Sequence, residues 1–252
     1  MDITEFLRLK DQNLYHRHPW ETSRKNVLLK FLQHSSIAFP IKRIVDIGGG
    51  DGYIINSLLE NNLAEEYFAI DTAYTDEVVN QLAINYDHSK VHYLNNLEEY
   101  YANFTANGTT LFLCMDVLEH LQEENEVLDY LKNEKDNYFF FAVPAYQSVF
   151  SYHDELLGHY RRYSLNQLET VLKNFNFTIQ DKGYYFTSLL LFRKLDNLLH
   201  KNRKETIIEW DGSKSKENLI NTILGLDFKV SLLFNKVGIH LPGLSCYCLC
   251  KK

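Results

Sequence analysis

Proline and glycine are scarce, 4 and 11 among 252 residues. So few chain breakers leave no obvious flexible linker, and the sequence shows neither internal repeats nor low-complexity segments. Four cysteines in a chain of this length do not make a disulfide framework. A basic excess is also lacking. The formal net charge is −7, which moves the expectation away from DNA or RNA as partners, although a local basic patch is compatible with the count. The first residues, MDITEFLRLKDQN, are charged and contain no apolar h-region, so no secretory signal is expected. No stretch reaches the apolar length of a membrane-spanning helix, and cytoplasmic residence is the default expectation.

What the sequence does have is apolar mass. Hydrophobic residues make up 45% of the chain, with 17 Tyr and 16 Phe. That is enough to bury a large core, in one large α/β domain or two small ones. The aromatics are expected mainly in that core.

Strand and helix patterns alternate along the chain. Residues 1–40 read as helical, with apolar residues at helical spacing in NVLLKFLQ (26–33) and Pro40 as the stop. Strands are expected at 41–47, 67–70, 90–94, 111–115 and 138–143, and helices at 53–60, 76–85 and 117–131. Near-continuous apolar runs such as LFLCM and YFFFAV suit strands buried on both faces, which implies a parallel, doubly wound sheet. Further on, Ser164 followed by Gln167 is a capping-box signature for a helix over 164–175. A strand is expected at 177–180, leucine-rich helices over 187–243, and a last strand at 245–250. In that strand Cys246, Cys248 and Cys250 share one face, as core cysteines do, without the turn-type spacing of a zinc site.

The most informative stretch is IVDIGGGDG, residues 44–52. It lies between a strand and a helix, where glycines let backbone approach a ligand at a helix N-terminus. The dinucleotide fingerprint Gly-x-Gly-x-x-Gly fails, because Tyr53 stands where its third glycine belongs. What fits is Asp46-x-Gly48-x-Gly50-x-Gly52. This resembles motif I of the class I S-adenosylmethionine (SAM) methyltransferases. Asp71, about 20 residues on at the end of the second strand, and the segment Met115-Asp116-Val117-Leu118-Glu119-His120-Leu121 at the end of the fourth extend the likeness. The latter resembles the "DVLEHL" segment of small-molecule and ubiquinone-type members. Val143-Pro144-Ala145, His153-Asp154 and Gly158-His159-Tyr160-Arg161-Arg162-Tyr163-Ser164 resemble a "VPA…HD…GHYRRYS" stretch of bacterial methyltransferase-domain proteins. His18-Pro19-Trp20-Glu21 with Arg24 is similar to their "HWW…R" segment, with proline replacing one aromatic. The likeness covers about 10–185 and the final strand.

The resemblance implies a doubly wound, seven-stranded Rossmann-like α/β methyltransferase sheet with helices on both faces. An N-terminal helical cap (1–40) would precede a SAM-binding core (41–186 and 244–252), interrupted by a helical insertion (187–243). It implies SAM as cofactor, with S-adenosylhomocysteine as product. Backbone N–H groups around Gly48, Gly49 and Gly50 would meet the methionine part. Asp46 would orient the loop or meet the amine through water, and Asp71 would take the ribose. Asn95 would stand at the adenine edge, Met115 and Asp116 beside the sulfonium, and His120 near the cofactor. Trp20 or Tyr15 would face the cation.

His153 and His159 are the candidates for removing a proton from an oxygen acceptor. Arg161 and Arg162, with Tyr163, would bind an anionic group of the substrate or else hold the loop by salt bridges. Methyl transfer requires no metal, and none is expected. The acceptor would be a small molecule, a lipid-linked intermediate or a glycan precursor, methylated on oxygen or nitrogen.

The 115–118 sequence is not the Asn/Asp-Pro-Pro-aromatic of nucleic-acid amino-methylating enzymes, and the Pro-Cys nucleophile of pyrimidine C5 chemistry is absent. The acidic cluster that aminopropyl transfer to a polyamine wants is missing too. The competing class is a non-catalytic SAM-binding or scaffold protein with 187–243 as its partner surface. That segment also suits a lid, a homodimer surface, a peripheral membrane contact through Arg193, Lys194, Lys201, Arg203 and Lys204, or simply a packed subdomain.

Overall fold

The computed structural model describes residues 17–84, 86, 89–104, 108–199 and 213–252. Tyr15, Asn85, Lys201, Arg203 and Lys204 lie outside the described residues. The chain opens with helix α1 (Pro19–His34). Proline sits in its first turn, where a missing N–H costs nothing, and the His18 side chain accepts from Trp20 N. Strand β1 (Ile41–Ile47), helix α2 (Tyr53–Glu60), strand β2 (Ala64–Ile70), helix α3 (Asp76–Leu82) and strand β3 (Val91–Leu94) follow in alternation. Then come helix α4 (Leu97–Asn103), strand β4 (Thr110–Met115), helix α5 (Asn125–Leu131) and strand β5 (Tyr138–Pro144). The chain continues with helices α6 (Tyr152–Leu156) and α7 (Leu165–Asn174), strand β6 (Thr178–Tyr185), helices α8 (Thr187–Leu199) and α9 (Lys214–Asn235), and strand β7 (Ser245–Lys251).

The seven strands form one sheet in the order β3-β2-β1-β4-β5-β7-β6. The pairs among β1 to β5 are parallel, as the apolar runs require. β7 runs antiparallel to both β5 and β6, so the sheet is mixed. Alternation along the strands sorts side chains into two cores. Ile44, Phe140, Tyr247 and Leu249 face α1, α2 and α9. Val45, Phe139, Phe141, Cys246, Cys248 and Cys250 face the other side, with α5 and α7. The three cysteines are fully buried free thiols among hydrocarbon.

On the first face, Phe31 of α1 packs 5.0 Å from Phe140 and 4.8 Å from Tyr247, ring centre to ring centre. This anchorage carries the first turns of α1 across the carboxyl ends of the strands. α7 begins as expected, with Ser164 and Gln167 forming a reciprocal capping box.

Three local expectations are corrected. The helix expected over 117–131 is broken into a single 3₁₀ turn (Leu118–His120) and α5. Its carbonyls are taken by the 160–163 loop: Tyr160 N donates to Glu119 O at 2.8 Å, and the Arg161 guanidinium donates to Leu121 O at 3.2 Å and Gln122 O at 2.5 Å. Each such bond removes a carbonyl that a continuing helix needs. α4, absent from the sequence expectation, begins at Asn96, whose side chain accepts from Glu99 N at 2.8 Å. β6 runs through Asp-Lys-Gly to Tyr185, because pairing with β7 carries it past a bulge at Ile179/Asp181.

Candidate active site

β1 and β2 are neighbouring parallel strands, so their carboxyl ends bring the glycine loop beside Asp71. Gly48 has φ +74°, and a Cβ there would stand 2.4 Å from Val117 Cγ2. At Gly49 a Cβ would meet Tyr74 Oη at 2.8 Å. Both positions therefore need glycine for the protein's own packing. The loop's N–H groups also find internal partners. Gly48 N and Gly49 N donate to Ile70 O at 2.8 and 3.1 Å, and Gly50 N donates to Asp71 Oδ2 at 2.9 Å. Asp71 Oδ1 accepts from Ala73 N at 3.0 Å. The Asn95 amide donates to the carbonyls of Thr72 and Tyr74, tying the β2–α3 turn to the end of β3.

Asp46 is 4% exposed, and no hydrogen bond reaches its carboxylate among the described residues. Burial pushes its pKa up to about 7, against the pull of Arg24 and with the help of Asp71 and Asp51. Asp46, the glycine loop and Met115 line a cleft together with Arg17, just before α1, and Glu21 and Arg24 of α1. The remaining cavity is ≈ 30 Å³, room for one or two water molecules.

Arg17 pairs with Asp51 and with Glu21, and its guanidinium lies 3.7 Å from the centre of the Tyr53 ring. Arg24 pairs with Asp116 through Nη1 and Oδ2, while Arg24 Nε and Asp116 Oδ1 are buried without hydrogen bonds among the described residues. Asp116 has φ +55°, the left-handed turn that ends β4 and aims its carboxylate at α1. Trp20 packs on Phe186, ring centres 5.5 Å apart, with the Arg24 guanidinium 5.6 Å from the centre of its ring.

Beyond Asp116 lies a second group of polar residues. His120 and His159 meet ring to ring at 4.6 Å and nearly at right angles. His159 Nδ1 is 3.0 Å from Asp154 Oδ1. Asp154 is fully buried, accepts from Arg162 Nε at 2.7 Å and Ser151 N at 2.9 Å, and caps α6. Burial raises its pKa, but the hydrogen bonds from His159 and Arg162 outweigh that and hold it well below the usual range. Glu119 is 0% exposed, and among the described residues neither of its carboxylate oxygens has a hydrogen-bond partner. Burial pushes its pKa up to about 8, opposed by its own backbone N–H and by Arg24 and Arg162.

The structure thus brings Asp46, Gly48, Gly49, Gly50, Asp71 and Met115 to one edge, with Trp20 and Asp116 beside them. His120 and His159 form the second group, and His153 lies on α6 outside it. Arg161, Arg162 and Tyr163 have internal partners. Arg161 binds Glu124 and two carbonyls, Arg162 binds Asp154 and Ala145 O, and the Tyr163 hydroxyl donates to Leu118 O or Glu124. These contacts are the loop-holding alternative for the two arginines.

Arg17, Arg24, Glu119 and Asp154 also line the candidate site. Arg24, Glu119 and Asp154 fall inside the motifs of the sequence, but nothing in a linear pattern says that a glutamate points inward.

No family model matches the chain, and no curated protein sequence matches it. Solved structures do. Phosphoethanolamine N-methyltransferase 2 of Haemonchus contortus, in complex with S-adenosyl-L-methionine, superposes with a TM-score of 0.52 at 15% identity, over 90% of this chain and 52% of that one. The chain therefore spans about half the length of that enzyme. The methyltransferase domain of bacterial CtHen1 gives 0.53 at 12% identity, over 92% and 99% of the two chains. An O-methyltransferase family protein from Burkholderia thailandensis gives 0.50 at 12% identity, over 62% and 52%. The chain has the fold of the class I SAM-dependent methyltransferases.

Proposed function

We propose that the chain transfers a methyl group from SAM to an oxygen or nitrogen atom of a small-molecule, lipid-linked or glycan-precursor acceptor. The observation that carries this is the placement of Asp46 and Asp71 beside a left-handed glycine loop, at the carboxyl ends of the neighbouring parallel strands β1 and β2. Ligands of open α/β sheets bind at that edge.

The residues present fit the cofactor. Asp46 is a desolvated carboxylate without a hydrogen bond among the described residues, and it suits a cationic group such as the methionine ammonium. Asp71 accepts one N–H at each oxygen and keeps lone pairs for ribose hydroxyls. Met115 borders the cleft, and Trp20 and Asp116 stand next to it. The Asp116 and Arg24 atoms left without hydrogen bonds make the floor polar and unsatisfied. When bound, SAM supplies a methyl group made electrophilic by its sulfonium. The chain's part is to align the acceptor, exclude water and take the acceptor's proton. We assign that last role to the group around His159, the imidazole that Asp154 orients.

The cavity among the described lining residues, Arg17 and Arg24 included, is ≈ 30 Å³, so cofactor binding would need this cleft to open. Calorimetric titration with SAM, S-adenosylhomocysteine and NAD tests the proposal. Micromolar binding of the two sulfur nucleosides and none of NAD is expected. No binding by the wild type or by an Arg24→Ala variant with a loosened cleft would overturn it.

A second role is favoured by one observation. On α9, Leu219, Ile223, Leu226, Val230 and Leu233 follow alternating spacings of four and three, and all are exposed. That is the seam of a coiled coil. It suits a second copy of this chain, whether or not the protein also catalyses. Among the described residues, no helix is long and apolar enough to cross a membrane.

A further inference from the structure

We propose that Glu119, His120 and His159 bind a divalent transition-metal cation. One ligand atom from each residue lies within 4.8 Å of the other two. Neighbouring ligands of a tetrahedral zinc-sized ion stand about 3.3 to 3.5 Å apart, so the widest pair would close by up to about 1.5 Å on binding.

The decisive observation is Glu119. It is wholly buried, neither oxygen has a hydrogen-bond partner among the described residues, and one of them belongs to this cluster. A buried carboxylate left in this state is costly, and in a native fold it calls for a missing partner. The Arg162 Nε is engaged with Asp154 and the Arg24 Nη1 with Asp116, and neither guanidinium hydrogen-bonds to Glu119 among the described residues.

His159 carries an independent sign. Its Nδ1 is held by the buried Asp154, which leaves Nε2 as the ligating nitrogen. Metal-bound histidines usually donate their other N–H to a carboxylate in this way, which fixes tautomer and ring direction. Asp154 is itself fixed by Arg162 and by the N-cap of α6, so it supports the site and does not compete for the ion. The frame is stiff as well, because Tyr160 N donates to Glu119 O at 2.8 Å and so clamps the two loops that supply the ligands. Exposure rises from Glu119 through His159 to His120, which gives an ion a path inward.

One carboxylate with two imidazoles favours zinc, manganese or iron over calcium or magnesium. The site itself stands without reference to the reaction; its use rests on the methyl transfer proposed above. With an ion bound, His159 would serve as its ligand and not directly as the base, and an acceptor hydroxyl held by the ion would give its proton to water at lower pH. That is the change an oxygen nucleophile needs before its bond to the methyl carbon forms and the carbon–sulfur bond breaks.

The test needs neither SAM nor acceptor, so its failure is separate from failure of the methyltransferase proposal. Chelator-treated protein is titrated with Mn²⁺, followed by the electron paramagnetic resonance signal of the free ion, and with Zn²⁺ by calorimetry. One saturable site is expected. Glu119→Gln, His120→Ala and His159→Ala should each abolish it or weaken it by more than about tenfold, and Asp154→Asn, acting through His159, by about tenfold. His120 is exposed, so His120→Ala decides the matter if a buried variant fails to fold. Absence of a saturable site for both ions, or unchanged affinity in the ligand variants, overturns the proposal.

Discussion

Gly50 N donates to Asp71 Oδ2 at 2.9 Å, so the glycine loop of β1 and the acidic end of β2 are one hydrogen-bonded unit. Replacing Asp71 removes a proposed ribose partner and also releases a loop N–H. Asp71→Asn should keep one acceptor for Gly50 and weaken SAM binding about 10- to 100-fold, the usual worth of a charged hydrogen bond. Asp71→Ala should weaken it as much and also lower stability by about 1–3 kcal/mol. Calorimetry beside urea unfolding of both variants checks this, and wild-type affinity in either removes Asp71 from the site.

Asp46 predicts a pH dependence. Its carboxyl titrates near 3.8 when unfolded and near 7 when folded. From about pH 4 to about 7 the unfolded state loses this proton while the folded state keeps it. Ionisation of Asp46 thus erodes stability across that window, and the erosion is complete above 7. Relative to wild type, Asp46→Asn should gain stability between pH 5 and 8, on the order of a few kcal/mol. Affinity for SAM should rise as wild-type Asp46 ionises, and this dependence should vanish in Asp46→Asn. Parallel urea midpoints for the two proteins at both pH values would sink the assignment.

Asp154 has the opposite sign, because its folded pKa is depressed by the hydrogen bonds from His159 and Arg162 despite burial. Its contribution is full above about pH 4 and fades on acidification below that. Asp154→Asn leaves the buried Arg162 without a counter-charge and should cost about 3–5 kcal/mol at pH 7. The loss should shrink toward pH 3. Denaturant titrations at pH 7 and 3.5 measure it, and an equal loss at both would count against the ion pair as the cause.

The seam on α9 predicts association. Leu226 is 57% exposed in the middle of the stripe, and Leu226→Glu places a charge there at little cost to the monomer. Light scattering on a sizing column should find a dimer for the wild type and a monomer for the variant. A wild type that stays monomeric at high concentration leaves the stripe without this partner.

Much of the fold is local in origin and could be read in order. LFLCM and YFFFAV are strands because both faces are covered, and Ser164 and Gln167 cap α7 within their own four residues. Where distant chain decides, sequence expectation failed. Residues 117–131 have helical spacing, yet the 160–163 loop consumes the carbonyls, and β6 extends past Gln180 only because β7 pairs with it.

The same division runs through the site. Asp46, Gly48, Gly50 and Asp71 were legible because a strand's end, a tight turn and a carboxylate beside it are set by spacing along the chain. That spacing determined the fold class and the edge that carries the candidate site. It did not show that the loop's N–H groups would be spent on Ile70 and Asp71, nor that Arg24 would reach from α1 to Asp116. Glu119, 40 residues from His159, was placed beside it by the sheet and by the Tyr160 hydrogen bond. Burial and partner choice are properties of the packed chain: the cost of a charge depends on what surrounds it in space, and the sequence lists only what precedes and follows it.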